Sequence, residues 1–200
     1  MIDYTKMTEM PNTEEIAEKM GLGNKFEQKL IEQRKVFLWG VVTDDSAKKV
    51  VDRIMYLETL DPGKEINFYI NSPGGVVTSG MVVYDAIKLI SSPVNTICMG
   101  LAASMGSILL SVGAKGKRQI WPSGRVMIHQ PSLGGAYGQA SDLEITANEI
   151  QKTKEMGGRI LSENCGQSYD KVMADMERDY WMSAEEAVKY GIVDSVASKF

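Results

Sequence analysis

The chain has 200 residues, 44% of them hydrophobic, which suits one domain with a substantial core. Its net charge is −4 and its pI about 5.2, with no basic block, so nucleic acid is a poor partner. No apolar run approaches the ~20 residues of a membrane span. The start shows no leader pattern, and Cys98 and Cys165 lack metal or disulfide spacing, so a reducing, cytoplasmic setting is expected.

Residues 1–24 are polar and irregular and read as an appended arm, with a short helical stretch closed at Gly21-Leu22-Gly23. Phe26 to Gln33 is a predicted helix and Val36 to Val42 a buried strand. Asp44-Asp45-Ser46 supplies cap chemistry for a helix to about Leu60, with Val50, Val51, Ile54 and Leu57 at helical spacing. Asp61-Pro62-Gly63 is a turn. A strand from Ile66 to Ile70 runs into Asn71-Ser72-Pro73-Gly74-Gly75, a loop of turn formers, and a helix follows from Thr78 to Ile90. After Pro93 comes a strand from Val94 to Met99, then the small-residue run from Gly100 to Gly106 and a helix start at Ser107. Such strand–helix alternation with short loops predicts an α/β fold with largely parallel pairing, whose reactive groups gather at the carboxyl ends of strands.

Gln119 to Trp121 and Val126 to Ile128 are short predicted strands, and His129 stands at the end of the second. Gln130 to Gln139 is glycine-rich and suits an extended segment that could take a peptide as an added strand. Ser141 to about Asn164 is a long helix whose weak apolar stripe, Leu143, Ala147, Ile150, Gly157 and Leu161, is broken at Lys154. So polar a helix gains stability by packing outside its own domain, so it reads as an assembly element. A short helix over Ser168 to Met176 and an extended piece over Arg178 to Met182 follow. The capping box Ser183-Ala184-Glu185-Glu186 opens a helix ended by Gly191, and Ile192 to Val196 is the last strand.

Ser104 sits where a buried strand turns sharply into a helix, among Gly100, Ala102, Ala103 and Gly106. This is nearly the nucleophile elbow G-x-S-x-G, with Ala102 in place of the first glycine. The bland alternative is a small-residue turn that lets a helix pack tightly on the sheet. A serine hydroxyl at its ordinary pKa is a weak nucleophile and needs a base. The sequence holds a single histidine, so the base is His129 or nothing of that type. An acid must then orient the imidazole. Spacing does not choose among Asp142, Asp170, Asp175, Asp179 and Asp194. Oxyanion donors are expected in the Met105 N–H and an N–H of the Gly74-Gly75 loop; loss of one such donor typically costs ~3 kcal/mol in the transition state.

From about Phe26 to Val196 the chain resembles the Clp protease proteolytic subunit (ClpP) family. The matching motifs are Tyr69-Ile70-Asn71-Ser72-Pro73-Gly74-Gly75, Met99-Gly100-Leu101-Ala102-Ala103-Ser104-Met105-Gly106, Gly113-Ala114-Lys115-Gly116-Lys117-Arg118, Arg125-Val126-Met127-Ile128-His129-Gln130-Pro131 and Met182-Ser183-Ala184-Glu185-Glu186-Ala187. The resemblance implies an α/β, ClpP/crotonase-like fold of repeated β-β-α units over 25–200, with a projecting handle over about 130–164. It implies Ser104 as nucleophile, His129 as base and Asp179 as the orienting acid. It implies Gly75 and Met105 as oxyanion donors, with Val76, Leu133 and Gly134 binding substrate. The implied activity is that of a serine endopeptidase which degrades unfolded polypeptides inside two stacked heptameric rings. An AAA+ unfoldase of the ClpX, ClpA or ClpC type feeds it using ATP, and the peptidase itself takes no cofactor and no metal.

The chain also departs from that family. The segment Pro131 to Tyr137 is one residue longer than the usual handle strand, and the polar Met1 to Gly23 replaces an apolar pore hairpin. Asn67 and Gln119 stand where apolar or aromatic residues usually line the unfoldase-docking pockets, and Trp121 is bulkier than expected. These features suit a divergent paralogue, so a second reading is a triad-bearing structural subunit active only in a mixed ring. Two further alternatives are an acyl-CoA enzyme of the crotonase type, which needs no Ser–His pair, and a Ser–Lys peptidase using Lys115 or Lys117.

Overall fold

The structure is a computed structural model that describes residues 22–135 and 137–198. The expected arm therefore lies outside the described residues as far as residue 21. The first described helix, α1, spans Leu22–Glu32, starting four residues earlier than the sequence suggested.

Strand β1 (Lys35–Trp39) leads to α2 (Asp44–Leu60), β2 (Ile66–Ser72), α3 (Val77–Leu89) and β3 (Val94–Ala103). Then come α4 (Met105–Ser111), β4 (Gln119–Ile120) and β5 (Arg125–Ile128). The chain continues through α5 (Ala140–Cys165), α6 (Tyr169–Asp175), β6 (Tyr180–Met182), α7 (Ala184–Tyr190) and β7 (Ser195–Val196). The mixed α/β architecture agrees with the expected fold class. Helix α2 is capped by Thr43, not by the acids that follow it: the Thr43 hydroxyl accepts the Ser46 N–H and the Ser46 side chain answers the Thr43 N–H. Asp44 and Asp45 instead occupy the first turn, where the helix dipole favours negative charge.

One sheet carries the order β1-β2-β3-β4-β7, all parallel, while β5 pairs with both β3 and β6. Strand β3 is the hub. Along one edge it pairs with β2 from Val94 to Ala102. Its other edge is shared: Ile97 and Cys98 pair with β4, while Leu101, Ala102 and Ala103 pair in parallel with Arg125, Val126 and Met127 of β5. The last pairing, β5 with β6, is antiparallel.

Side chains alternate across the first strands. Val36, Leu38, Phe68 and Ile70 are fully or almost fully buried in the main core, together with Ile54, Leu57, Leu109, Leu110, Ile120 and Ile128. The opposite face of β1–β3 carries Phe37, Tyr69 and Ile97 in register, with the Phe37 and Tyr69 rings stacked 4.9 Å apart. Trp39, on that face, is exposed. Helix α5 is anchored only at its far end: its buried residues are Gly157, Gly158, Leu161 and Cys165, and the earlier turns stand clear of the core.

Two buried guanidiniums tie loops to this core. Arg34, 6% exposed, donates to the carbonyls of Glu65, Leu57, Asp61 and Lys64, closing the carboxyl end of α2. Arg118, 3% exposed, forms a two-pronged pair with Asp194, at 3.0 and 2.5 Å, and also donates to the Asn164 carbonyl at the end of α5. Burial works against ionisation of Asp194, yet the hydrogen bonds and charge of Arg118 bring its carboxyl below the ordinary value. A carboxylate held below its unfolded pKa stabilises the fold above about pH 4 and loses that contribution as pH falls through the native value. Replacing one member of a buried pair leaves the other uncompensated. Arg118→Met is therefore expected to cost ~3 kcal/mol in urea unfolding at pH 7. Asp194→Asn should flatten the dependence of stability on pH between pH 5 and pH 3, measured as melting temperature.

Candidate active site

The sheet register assembles the site. Strand β3 ends at Ala103, paired with Met127, so the next residue of each strand faces the same end. Ser104 follows immediately, and its N–H bonds the Met127 carbonyl at 2.9 Å. His129 follows β5 directly. The antiparallel pairing of Ile128 with Tyr180 places the residue before β6, Asp179, beside it. The side chains meet accordingly: His129 Nε2 lies 2.9 Å from Ser104 Oγ, and His129 Nδ1 lies 3.1 Å from Asp179 Oδ1. Each contact is within hydrogen-bond reach of an acid–base relay.

Ser104 has φ 55 and ψ −124, outside the ordinary regions for a residue with a Cβ. Such conformations cost ~1–3 kcal/mol and persist where the surroundings over-determine them. Here the Met127 bond fixes the N–H, and the Ser104 carbonyl accepts the Ser107 N–H and hydroxyl at 2.9 and 2.6 Å. The turn points the hydroxyl out of the sheet while Met105 begins α4. The first N–H of a helix has no acceptor one turn back, so the Met105 amide is available to a ligand.

The loop after β2 completes this end of the sheet. A Cβ on Gly74, which has φ +92, would lie 2.6 Å from Ser104 Cβ and 2.9 Å from the Met105 nitrogen, so only glycine fits. Gly75 bridges Val42 in parallel: Val42 N–H donates to the Gly74 carbonyl at 2.8 Å and Val76 N–H to the Val42 carbonyl at 2.9 Å. Those two bonds do not use the Gly75 N–H, which leaves it a candidate second donor. A Cβ there would collide with Val42 O at 2.3 Å. Val76 is the exposed N-cap residue of α3. Leu133 and Gly134 are exposed in the loop after His129; the described residues of 130–139 form no strand.

The other acids are engaged elsewhere. Asp142 caps the start of α5, Asp175 pairs with Lys171, Asp194 with Arg118, and Asp170 lies in the first turn of α6. The alternative bases are also committed at a distance: Lys115 bonds the Asn164 carbonyl, and Lys117 pairs with Glu65. Cys98 and Cys165 are buried, and burial pushes their thiols up to about 12 and about 11, so neither is a nucleophile at neutral pH. Among the described residues no group of three or more His, Cys, Asp or Glu could hold a metal ion, and no helix is long and apolar enough to cross a membrane.

A cavity of about 40 Å³ opens onto Ser104 and His129. Its walls are apolar and rich in thioethers, with Met81, Met105, Ile108, Met156 and Met176 among them. It offers an apolar slot next to the hydroxyl.

Sequence reasoning passed over a set of residues behind the acid. Lys154 interrupts the apolar stripe of α5, and the structure accounts for it: its Nζ pairs with Glu177 at 2.8 Å, two residues before Asp179. Gln130, next to His129, receives the same segment. Its N–H donates to the Met176 carbonyl at 2.7 Å and its amide to the Glu177 carbonyl at 2.8 Å. The Lys154 hydrogen bond and charge hold the Glu177 carboxyl below its ordinary value. Residues 176–177 are thus clamped between α5 and the residue after the histidine, which fixes where Asp179 emerges. The signal was present in the sequence as a lysine on an apolar stripe. Lys154→Met is expected to slow serine-directed labelling of Ser104 about tenfold through misplacement of the acid. Lys154→Arg should restore most of the rate, and both variants should keep the native mass of the parent.

Comparison with known proteins identifies the family. Residues 19–200 match the family model described as Clp protease. Curated relatives from two strains of Bacteroides fragilis, each named ATP-dependent Clp protease proteolytic subunit, are 53% identical over 171 residues. The alignment covers 86% of this chain and 82% and 77% of those two proteins. The chain belongs to the Clp protease family, the serine-type peptidases that form the proteolytic core of ATP-dependent Clp proteases.

Proposed function

We propose that Ser104, His129 and Asp179 carry out peptide hydrolysis as nucleophile, base and orienting acid. The observation that carries the reading is the continuous relay from Ser104 Oγ to His129 to Asp179, at 2.9 and 3.1 Å. Ser104 Oγ attacks the carbonyl while His129 Nε2 takes its proton. Asp179 holds the Nδ1 proton and stabilises the imidazolium. The amides of Met105 and Gly75 hold the developing oxyanion. His129 then returns the proton to the leaving amine, and a water activated by the same imidazole hydrolyses the acyl-enzyme.

In this reading the substrates are unfolded polypeptides, delivered by an AAA+ unfoldase and held in extended form along the loop that carries Leu133 and Gly134. Backbone pairing with such a loop selects little on side chain. The working assembly is two stacked rings of seven, joined by the free turns of α5, in the cytoplasm. Its support is the placement of Leu143 and Ile145: both are exposed on a helix whose packed residues all lie further along. Asn67, Gln119 and Trp121 line one cleft of about 280 Å³ with Asn95 and Lys117, so an unfoldase would meet a polar surface at that face. An intact relay is common to a subunit active by itself and to a triad-bearing subunit active only in a mixed ring, so turnover by the purified protein separates the two.

A fluorophosphonate is expected to label Ser104 and to inhibit cleavage of a short fluorogenic peptide by the purified protein. His129→Ala should abolish both, and Asp179→Asn should lower kcat about 10⁴-fold. Full labelling of His129→Ala would overturn the assignment. Peptide turnover that appears only after addition of a paralogous subunit would favour the mixed ring. A charge introduced at Ile145 should halve the native mass in sedimentation, and unchanged double rings would remove α5 from the ring contact.

A further inference from the structure

Helix α3 begins without a side-chain cap. Val76 holds the cap position, and its side chain makes no capping bond. A helix start left this way is prone to fray. Ser79, in the first turn, reaches outside the helix instead: its hydroxyl donates to Asp44 Oδ1 in the first turn of α2. Ser79 is 4% exposed and lies on the buried face of α3 with Gly80, Val83 and Ile87. Alanine would suit that face. Replacing both members of a hydrogen-bonded pair by apolar groups is nearly neutral for stability, so packing alone does not ask for serine here.

The turn that carries Ser79 adjoins both candidate oxyanion donors. It follows Gly75 directly, through Val76. Its Gly80 lies against Met105, where a Cβ would come 2.7 Å from Met105 Sδ, so the thioether fills the notch that the glycine leaves. The bridge between Val42 and Gly75 is one attachment, about which the turn could swing. The bond from Ser79 to Asp44 is a second. Asp44 stands two residues after Val42 and Ser79 four after Gly75, so bridge and bond together close a ring. The α2 side of that ring is itself fixed, by the Thr43–Ser46 capping box and by the Ser46 hydroxyl donating to the Val41 carbonyl at 3.0 Å. Two attachments stop the swing and set the distance between the Gly75 and Met105 amides.

We propose that Ser79, through its bond to Asp44, is a positioning residue for the oxyanion hole. It touches neither substrate nor the reacting atoms. It holds the first turn of α3 so that the Gly75 amide stays aimed at the point the Met105 amide also faces. This role rests on the reading of Ser104 as nucleophile and of Gly75 and Met105 as donors. It is separate from the Lys154 clamp, which acts on the segment before the acid.

The test uses the full chain, with active sites counted by fluorophosphonate labelling of Ser104. Ser79→Ala should lower kcat for a short fluorogenic peptide about tenfold and leave KM in place, a part of the ~10²–10³-fold that loss of a whole donor costs. Affinity for a peptide boronate, whose tetrahedral adduct with Ser104 puts an oxygen between the two amides, should fall by the same factor. Asp44→Ala should match both effects, and the double variant should lose no more than either single one, since each removes the same bond. Asp44→Asn keeps an acceptor for the hydroxyl and should recover most of the rate. Alanine is the better helix former, and the two Asp44 variants decide the matter if Ser79→Ala does not fold. Unchanged kcat and boronate affinity in the alanine variants, a change in KM alone, or a loss that follows a lowered native mass overturns the inference and leaves the serine mechanism standing. Failure of the parent protein to label at Ser104 overturns both.

Discussion

The structure depends on the short parallel pairing between the end of β3 and β5. Three residue pairs, Leu101 with Arg125, Ala102 with Val126 and Ala103 with Met127, fix the axial position of two strands whose next residues are Ser104 and His129. The Ser104 N–H continues that ladder by one bond to Met127 O. A slip of one residue would turn every side chain to the other face and separate hydroxyl from imidazole. The strand preceding the elbow is buried at seven of its ten residues, and its neighbours Phe68, Ile70, Val126 and Ile128 are fully enclosed. Burial therefore specifies the register, and the register specifies the chemistry.

The same logic explains the conformation of Ser104. A backbone at φ 55 is unfavourable for serine, so the surrounding bonds must outweigh it. Its N–H and carbonyl are both bonded, and Gly74 lies against its Cβ with no room for a side chain of its own. The Gly74–Gly75 loop is in turn held by Val42, which extends the line of β1 to the same end of the sheet. Three successive parallel strands thus contribute the loop, the hydroxyl and the imidazole in that order. This is the behaviour expected of open α/β sheets, where reactive groups collect outside the carboxyl ends of strands.

Much of this was legible in the sequence, and the limits have physical causes. The small residues around Ser104 and the lone histidine at a strand end pointed to the pair directly. The acid could not be chosen by composition or spacing, because Asp179 differs from Asp142 or Asp194 only through the antiparallel register of β6, a long-range contact. The resemblance to a family supplied it instead. Thr43 was missed as the cap of α2 because the acids after it satisfy the same compositional rule, and only the Ser46 bond separates them. The carboxyl end of β3 lies four residues beyond the expected Met99, since Gly100, with φ +82, reads as a break although the strand continues through it. The stripe of α5 was read correctly as incomplete, but the partner of Lys154 lies 23 residues further along the chain, out of reach of any helical pattern.

Helix α5 serves the site in two ways, through Lys154 and through the residues that line the cavity, and Lys154 and Gly157, three residues apart, are neighbours on the helix surface. One reaches the segment that carries the acid and the other borders the cavity beside the hydroxyl. Asp179 needs that support more than its partners do: its side chain is 59% exposed, against 24% for His129, so packing alone does not hold it. The support itself stands on a rigid base, because the end of α5 is fastened by Leu161, by the Arg118 bond to Asn164 and by close packing at Gly158. The opposite end of the helix has no buried residue among those described. A rod fixed at one end, free at the other and in contact with both acid and cavity between them makes the site sensitive to whatever seats its free turns. Relay geometry and pocket shape would respond together, because they share one helix face.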